Sequence, residues 1–516
     1  MAEKKQYNVE VTRALASFPY FVLSNEIENG RSVFQKELLD IFKFYKIYKE
    51  GAEFIAQGTN GDYVASNIKY KIAKTLIDKE ARFMFSQTPD ITIKGDSVED
   101  EQKEQIEQYQ KLIDKVFKKS KFKKNLLQGA KDCFIGKRIA CLTDISEEDG
   151  IVVHFYDALQ FYYETEYGTD RLTKFISFEN VQESKNRTDK RFLVNKYEDV
   201  KGTIYMSSVL YDGAGTTINE LIPLTETDLK DIPVVIIFND GTLHEKRGIS
   251  EIEDLKDIES AYSKLANADI DSEGKGMNPI RYTVDMNHET TKELSSSAGS
   301  YWDLESNQNV DEPKTMIGVL APQMNHTEAV KETLNRMKTT MYGMLDVPNI
   351  SEETLEGSIT SGKALRALYW SLEVRCDEKL MTWMPALETI VNHIIDIALR
   401  NQEIVKSVYG ITDLNQIEYD VLIENNYALM DDEQEEKDTD MAEINANAMS
   451  RKSYIKKWRP EMTEEQIDEE LMQIAVELNM FDSLSMNQQV QSKLDDIGIE
   501  TEVDDNIEDE TIQNNL

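Results

Sequence analysis

The sequence is poor in cysteine, proline, histidine and tryptophan, with three, ten, five and four of them among 516 residues. The cysteines, Cys133, Cys141 and Cys376, are odd in number and too few for a disulfide framework, which points to a reducing compartment. Cys133 and Cys141 stand eight apart with no cysteine or histidine cluster to complete a zinc site, so no metal is expected. The histidines (His154, His244, His288, His326, His393) are scattered; there is no H-E-x-x-H, and no Ser/His/Asp set can be chosen. Base is short as well: 58 Lys and Arg face 96 Asp and Glu, a net charge of −38. A chain this acidic does not adhere to DNA or to an anionic membrane through its overall field, so any DNA contact must be local or deliberately non-adhesive. Apolar runs are interrupted by His393, Asp396 or Asn239 and none reaches the ~18 residues of a membrane span. Met1 to Asn8 is charged and lacks an apolar signal core. The expectation is a soluble protein made in a cytoplasm.

What is present suffices for a large core. Hydrophobic residues make up 40%, and the length suggests about three or four domain-sized units. Residues 1–60 look helical and mixed, with Phe34, Leu38, Ile41, Phe42 and Tyr45 at helical spacing. A clearer helix is expected over 66–86, on the stripe Ile68, Ile72, Leu76 and Phe83; Pro89 stops it and Ile91-Thr92-Ile93 reads as a strand. Residues 101–130 are helical and lysine-rich. From Arg138 the period changes to two. Ile139–Leu142 and Ile151–Phe155 flank the turn Glu148-Asp149-Gly150, and Leu172–Phe178, Arg191–Tyr197, Thr203–Leu210 and Pro233–Phe238 follow, which argues for antiparallel sheet.

After Gly248 the chain turns helical. Ser250 and Glu253 form an S-x-x-E capping box, acids fill the first turn, and Ile252, Leu255, Ile258, Tyr262 and Leu265 carry a helix over about 251–270. Residues 271–325 are punctuated by Gly and Pro, with Arg281–Asp285 as a strand. A second helix, about 327–345, has the narrow stripe Val330, Leu334, Met337, Met341, Met344, suited to packing on one neighbour. Residues 347–360 form a polar loop, and a long helix from Ser361 toward Leu399 contains Pro385, where a kink is expected. Residues 410–430 give no clear pattern. Residues 431–440 (DDEQEEKDTD) are a solvated helix face or a linker. A helical segment over about 440–481 is divided by Pro460, and the acidic tail 495–516 is expected to be disordered.

The sharpest catalytic candidate is Gly357-Ser-Ile-Thr-Ser-Gly362-Lys363-Ala364. It fits G-x-x-x-x-G-K, but Ala364 stands where the magnesium-binding hydroxyl belongs, and the segment before it is polar rather than a buried strand. Val234–Asp240 resembles the apolar strand and acid of such enzymes, yet it precedes the loop. Ser361 as a helix cap is the simpler reading. With 96 acids, paired carboxylates arise by chance and assign no acid/base chemistry. The basic clusters Lys111–Lys131 (with Phe117 and Phe122) and Arg451–Arg459 (with Tyr454 and Trp458) suit phosphate contact or, more simply, pairing with nearby acids. No catalytic residue and no cofactor are expected.

The order of parts is more telling than any one motif. Asn67-Ile-Lys-Tyr-Lys-Ile with Gln87-Thr-Pro89 comes first. Ile232-Pro-Val-Val-Ile-Ile-Phe-Asn239 then runs into Gly248-Ile-Ser-Glu-Ile-Glu-Asp-Leu255 and Ala261-Tyr262. Gly357-Ser-Ile-Thr-Ser-Gly-Lys-Ala-Leu365 and Met449-Ser-Arg-Lys-Ser-Tyr454 follow. Over about residues 60–480 this order resembles the portal proteins of tailed bacteriophages of the siphophage type.

The resemblance implies an α+β, mainly helical portal fold that assembles into a ring around a central tunnel at one capsid vertex, with twelve subunits in the virion. It implies a wing (1–247), stem helix 1 (248–270), clip (271–325), stem helix 2 (326–345), tunnel loop (346–360), long wing helix (361–400) and crown (401–494). The tunnel loop would include Asn349, Ser351, Glu352, Glu353, Glu356 and Gly357. Lys331, Arg336 and Lys338 on the second stem helix would face the lumen or pair between subunits. Double-stranded DNA would pass through for packaging and ejection. The large terminase and then the head–tail adaptor would dock, major capsid and scaffolding proteins would surround the ring, and no membrane or enzyme activity would be involved. Assembly would occur in the cytoplasm of the host bacterium. Twelve chains would carry roughly −450 charges, a repulsive conduit along which DNA slides. Two alternatives remain open at this point: a nucleotide-dependent packaging motor built on Lys363, and an acidic scaffolding or head protein with no channel.

Overall fold

The structure, a computed structural model, describes residues 31–56, 64–95, 100–182, 186, 189–239, 242, 245–277, 280–284, 316–320, 327–350, 362–412, 414–427, 433–446, 448–459, 462–463 and 466–474. The chain divides into two units: residues 1–360 with 364–429, and 361–363 with 430–516.

The first unit opens with α1 (Arg31–Glu50), α2 (Ile72–Phe85), β1 (Asp90–Lys94), α3 (Asp100–Lys119) and α4 (Phe122–Gly136). On α1 the inward stripe is Phe34, Leu38, Ile41 and Phe44. The helix expected over 66–86 begins only at Ile72; residues 64–71 are extended, and Ile68 is half exposed. The single helix expected over 101–130 is two, broken where Lys121 takes a left-handed conformation (φ 51°).

The sheet region reads as the period of two requires. β2 (Arg138–Ser146) and β3 (Gly150–Asp157) form a hairpin, and β9 (Val234–Phe238) pairs with the other side of β2. Between them β4 (Phe161–Thr165), β5 (Leu172–Gln182), β6 (Arg191–Val200), β7 (Thr203–Asp212) and β8 (Thr217–Glu226) form an antiparallel meander in sequence order. β4 and β8 escape the sequence pattern, β8 because all ten of its residues are exposed and no face alternates. β1 pairs with β12 (Asp420–Glu424), which lies in the stretch that gave no pattern.

α5 (Glu251–Met277) outruns its expected end at 270. Then come β10 (Ile280–Val284), its partner β11 (Met316–Leu320), α6 (Thr327–Met344), α7 (Gly362–Arg400, with Pro385 inside) and α8 (Gln402–Tyr409). One large core joins α2, α3, α4, the start of α5, the end of α6, most of α7 and the second half of α8 to the β3-β2-β9 sheet. The meander adds one smaller core on each face: Phe34 and Leu38 of α1 on Tyr162, Ile176 and Phe178, and the opposite residues Phe161, Tyr163 and Phe175 against Ala140 and Leu142.

The second unit contains α9 (Glu433–Asn445), α10 (Arg451–Trp458) and a helical segment at 466–474. The acidic run is therefore largely helix. Ser450 caps α10 by accepting the Ser453 amide at 3.1 Å. Asp440 accepts from Trp458 Nε1 at 2.7 Å and Lys457 Nζ at 2.9 Å; Lys452 pairs with Asp468 and Arg459 with Glu470. Lys452, Lys457 and Arg459 of this basic cluster thus pair with acids of their own unit. All three cysteines are buried thiols.

Candidate functional site

Of the residues singled out for function, Lys331, Arg336 and Lys338 lie on α6 and Asn349 follows it; the elements around them are α5 and α7. Gly248 starts α5. It has φ +77°, and a Cβ there would collide with the Lys137 carbonyl oxygen. Ser250 caps the helix, accepting the Ile252 amide at 3.2 Å while donating to the Ile135 carbonyl at 2.6 Å. The expected capping box is not completed: the Glu253 carboxylate reaches Lys137 and Lys256 instead.

Beneath this start lies a buried ionic quartet. Lys379 Nζ of α7 approaches Glu251 at 2.5 Å and Glu80 of α2 at 2.9 Å; Arg375 reaches Glu251 at 2.7 Å and Glu80 at 2.9 Å. Two acids balance two bases, Lys379 also lies 3.8 Å from the Phe134 ring centroid, and Asn239 Oδ1 accepts from Lys379 at 3.0 Å. Burial pushes the Glu251 carboxyl up, but Lys379 and Arg375 outweigh it and hold it below its ordinary value. The Lys379 ammonium is held above its ordinary value by Glu251 and Glu80, against the pull of burial. The quartet joins α2, the N-terminus of α5 and the middle of α7.

Further along α5 a polar ladder grips the extended segment. Glu259, Ser263, Asn267 and Asp271, four residues apart, occupy one buried face. Asp271 accepts the Ser66 amide at 3.0 Å, Asn267 the Ile68 amide at 2.8 Å, Ser263 the Tyr70 amide at 3.4 Å and Glu259 the Ala73 amide at 3.3 Å. Four helical residues rise about 6 Å and two extended residues about 6.6 Å, so the two repeats nearly match over Ser66, Ile68 and Tyr70, and the last rung falls three residues on, at Ala73 in the first turn of α2. Glu259 sits at the start of α2, where Lys71 supplies no side-chain cap. Burial raises its carboxyl to about 7, with amides of the α2 start and Ala52 drawing it down.

α6 packs alongside α5. Of its stripe, Met341 is buried, Val330, Leu334 and Met337 are half-buried and Met344 is exposed. Asp346 (φ 52°) ends the helix in a left-handed conformation, and the Val347 amide donates to the Tyr342 carbonyl at 3.0 Å. Asn349 is exposed. Ser351, Glu352, Glu353, Glu356 and Gly357 lie outside the described residues, as do most of the loop around Lys363, Asp240, His244, His288, His326, the stretch 285–315 and the tail.

The three α6 cations are not brought together. At 100° per residue Lys331 and Lys338 lie near one line, and Arg336 is about 140° round the helix from Lys331. Lys331 and Arg336 are exposed. Lys338 stands 5.9 Å from the Tyr342 ring centroid, which Lys79 approaches at 5.0 Å. In the Lys111–Lys131 cluster, Lys111 pairs with Glu107, Lys119 with Asp149 and Lys131 with Asp78, and Lys115 donates to the Tyr409 carbonyl, so much of it serves the fold.

Neither the ladder nor the quartet was singled out from sequence. The ladder left a signal only in the i, i+4 spacing of Glu259, Ser263, Asn267 and Asp271. The quartet left none among 96 acids. Among the described residues no group of three or more His, Cys, Asp or Glu is placed to hold a metal ion. The arrangement supplies anchored helices and a charged surface, and assigns no covalent chemistry.

A family model described as "Phage portal protein, SPP1 Gp6-like" matches residues 28–483. No curated protein matches the chain. Among solved structures, a chain from the "Neck of empty GTA particle computed with C6 symmetry" is similar at 8% identity and a TM-score of 0.40, over 75% of this chain and 89% of that chain.

Proposed function

The chain belongs to the SPP1 Gp6-like phage portal proteins and is a portal for DNA packaging, and from this premise we propose that copies of it close into a ring whose tunnel is walled by α5 and α6. The family is structural rather than enzymatic and places the protein in the virion capsid. No helix among the described residues is long and apolar enough to cross a membrane. The family match over 28–483 carries the reading.

Residues 1–247 with α7 act as the wing, α5 and α6 as the stem, the chain between them as the clip and the second unit as part of the crown. Residues 346–360 act as the tunnel loop. The clip docks the large terminase and then the head–tail adaptor, and the wing adjoins capsid and scaffolding proteins. A wall lined by chains of charge −38 repels the duplex and lets it slide. The ladder and quartet support the reading mechanically, because a stem helix that bears on moving DNA needs a fixed footing.

Mass photometry and negative-stain averages of the purified protein test the ring. Closed rings of about twelve subunits with a central hole are expected for assemblies of this family; only monomers and dimers, even with scaffolding protein added, would overturn it. Deleting 347–360 should leave the ring assembled and impair DNA packaging or retention.

A further inference from the structure

The basic cluster at the end of α3 is not fully spent on the fold. Between Asp114 and Asp132 the chain carries seven lysines and no acid, in a protein with 96 acids. Lys115, Lys119 and Lys131 are engaged, with the Tyr409 carbonyl, Asp149 and Asp78. Lys118, Lys121, Lys123 and Lys124 are exposed, and none has an acid partner among the described residues. These four fall within residues 118–124, at the corner where α3 ends and α4 begins. The acids that bound the cluster in sequence have other partners: Asp114 accepts from Gln110 at 3.2 Å and Asp132 from Tyr45 at 3.2 Å.

Local stability does not account for these cations. Lys118, in the last turn of α3, suits the negative end of that helix dipole. At the start of α4 the sign is wrong. Lys123 and Lys124 occupy the first turn with no acid beside them, and Lys121 supplies no side-chain cap. Lys121 is also left-handed, with φ 51°, where Gly or Asn fits with less strain. Three cations therefore stand where the helix itself favours acids.

The chemistry of the corner selects a partner. Residues 115–131 contain no arginine. Lysine meets a phosphate as a point charge, without the fork that clasps a carboxylate or reads a guanine edge. The two rings of the cluster are already used: Phe117 and Phe122 stack on one another at 4.0 Å, and Phe122 is buried. They give no platform for unstacked bases, which disfavours a single strand. The closely spaced phosphates of a duplex suit what remains, and duplex DNA is the polyanion that a DNA-packaging portal handles.

We propose that the corner between α3 and α4 is a contact site for the phosphate backbone of double-stranded DNA, held by Lys118, Lys121, Lys123 and Lys124. The contact is independent of base sequence and lies on other elements than the tunnel wall assigned to α5 and α6.

Fluorescence anisotropy of a labelled duplex of about 30 base pairs, titrated with the full chain between about 50 and 200 mM salt, tests it. Wild type is compared with Lys118→Gln/Lys121→Gln/Lys123→Gln/Lys124→Gln. The quadruple variant should bind at least ~10-fold more weakly at low salt, and its slope of log affinity against log salt should be shallower by about 2–4. Lys123→Gln/Lys124→Gln should show roughly half of that change in slope while raising the melting temperature, because it removes cations from a helix start. Lys201→Gln/Lys230→Gln makes the same change of charge at two exposed lysines elsewhere, and should leave binding within about 2-fold. An equal loss in that control, no difference between wild type and the quadruple variant, or no binding by wild type would each overturn the proposal. So would a single strand of the same length binding equally well. Polyglutamate competing better than duplex at equal charge would overturn it in favour of an acidic protein partner. Each chain carries the whole site, so protein that fails to close into rings still decides the question.

Discussion

Asn267 holds both ends of the Ile68 backbone: its Oδ1 accepts the amide at 2.8 Å and its Nδ2 donates to the carbonyl at 2.7 Å. A helix side chain thereby does what a neighbouring strand would do. The arrangement works because the carboxamide carries a donor and an acceptor side by side, as a peptide group does. Nδ2 also donates to the Ser263 carbonyl of its own helix at 2.6 Å, which fixes the flip of the amide.

Replacing Asn267 should therefore cost more than one ordinary hydrogen bond. Asn267→Ala leaves a buried amide and carbonyl unpaired and should destabilise the first unit by about 2–3 kcal/mol, read from urea unfolding. Asn267→Asp keeps the acceptor but turns a buried carboxylate toward two carbonyls, and should cost more than alanine at pH 8 and less as the carboxyl protonates. Equal losses at every pH would contradict the bidentate role.

Glu259 sets a pH dependence of opposite sign to that of a salt-bridged acid. Burial lifts its carboxyl to about 7 from an ordinary 4.5. The folded chain then binds this proton more tightly than the unfolded chain, so the contribution is complete below about pH 4.5 and is lost as pH rises through 7. Glu259→Gln keeps an acceptor for the Ala73 amide without the charge. The variant should match wild type near pH 4.5 and be the more stable at pH 8, by at most ~3 kcal/mol at 1.36 kcal/mol per unit. Thermal melts across pH 4.5–8 decide; parallel curves for the two proteins would sink the assignment.

Lys379 sits between two buried acids, so its loss should be severe and partly reparable. Lys379→Met leaves Glu80 and Glu251 with Arg375 alone and should cost about 3–5 kcal/mol. Adding Glu80→Gln restores charge balance and should recover much of that loss, a coupling that a double-mutant cycle measures. The Glu251 carboxyl, held low by Lys379 and Arg375 against burial, loses its contribution as pH falls below its folded value, whereas the Glu80 carboxyl, raised by burial, gains on acidification, so the two oppose one another in the wild type.

The helices α5, α6 and α7 and most of the sheet were legible in the sequence, because one buried face imposes a period of 3.6 or 2. The departures have specific causes. Ile68 fitted a helical stripe with Ile72 and Leu76, yet the backbone around it is committed to the ladder, and a side-chain period carries no information about backbone partners. β8 has no buried face to print an alternation. Lys121 broke a helix because its left-handed backbone leaves no mark on composition. The family was legible through the order of the parts, whereas the site was only half so: the stripe of α6 could be read, but the quartet depends on Glu80, Glu251, Arg375 and Lys379 meeting across 299 positions of chain.

The α6 cations give the most direct test of how the conduit meets DNA. Lys338 lies against Tyr342, so its truncation should cost stability, about 0.5–1 kcal/mol from the lost ring contact. Lys331 and Arg336 are exposed in the single chain and should each tolerate serine within about 0.5 kcal/mol. Because they point about 140° apart on the helix, they cannot both face the lumen of a ring. One substitution should alter DNA passage in a way that fades with rising salt, since phosphate contacts are screened. The other should weaken assembly, seen as fewer closed rings by mass photometry. Identical phenotypes for Lys331→Ser and Arg336→Ser would mean that α6 is not placed with one side toward DNA and another toward a neighbouring subunit, and the stem assignment of this helix would fall.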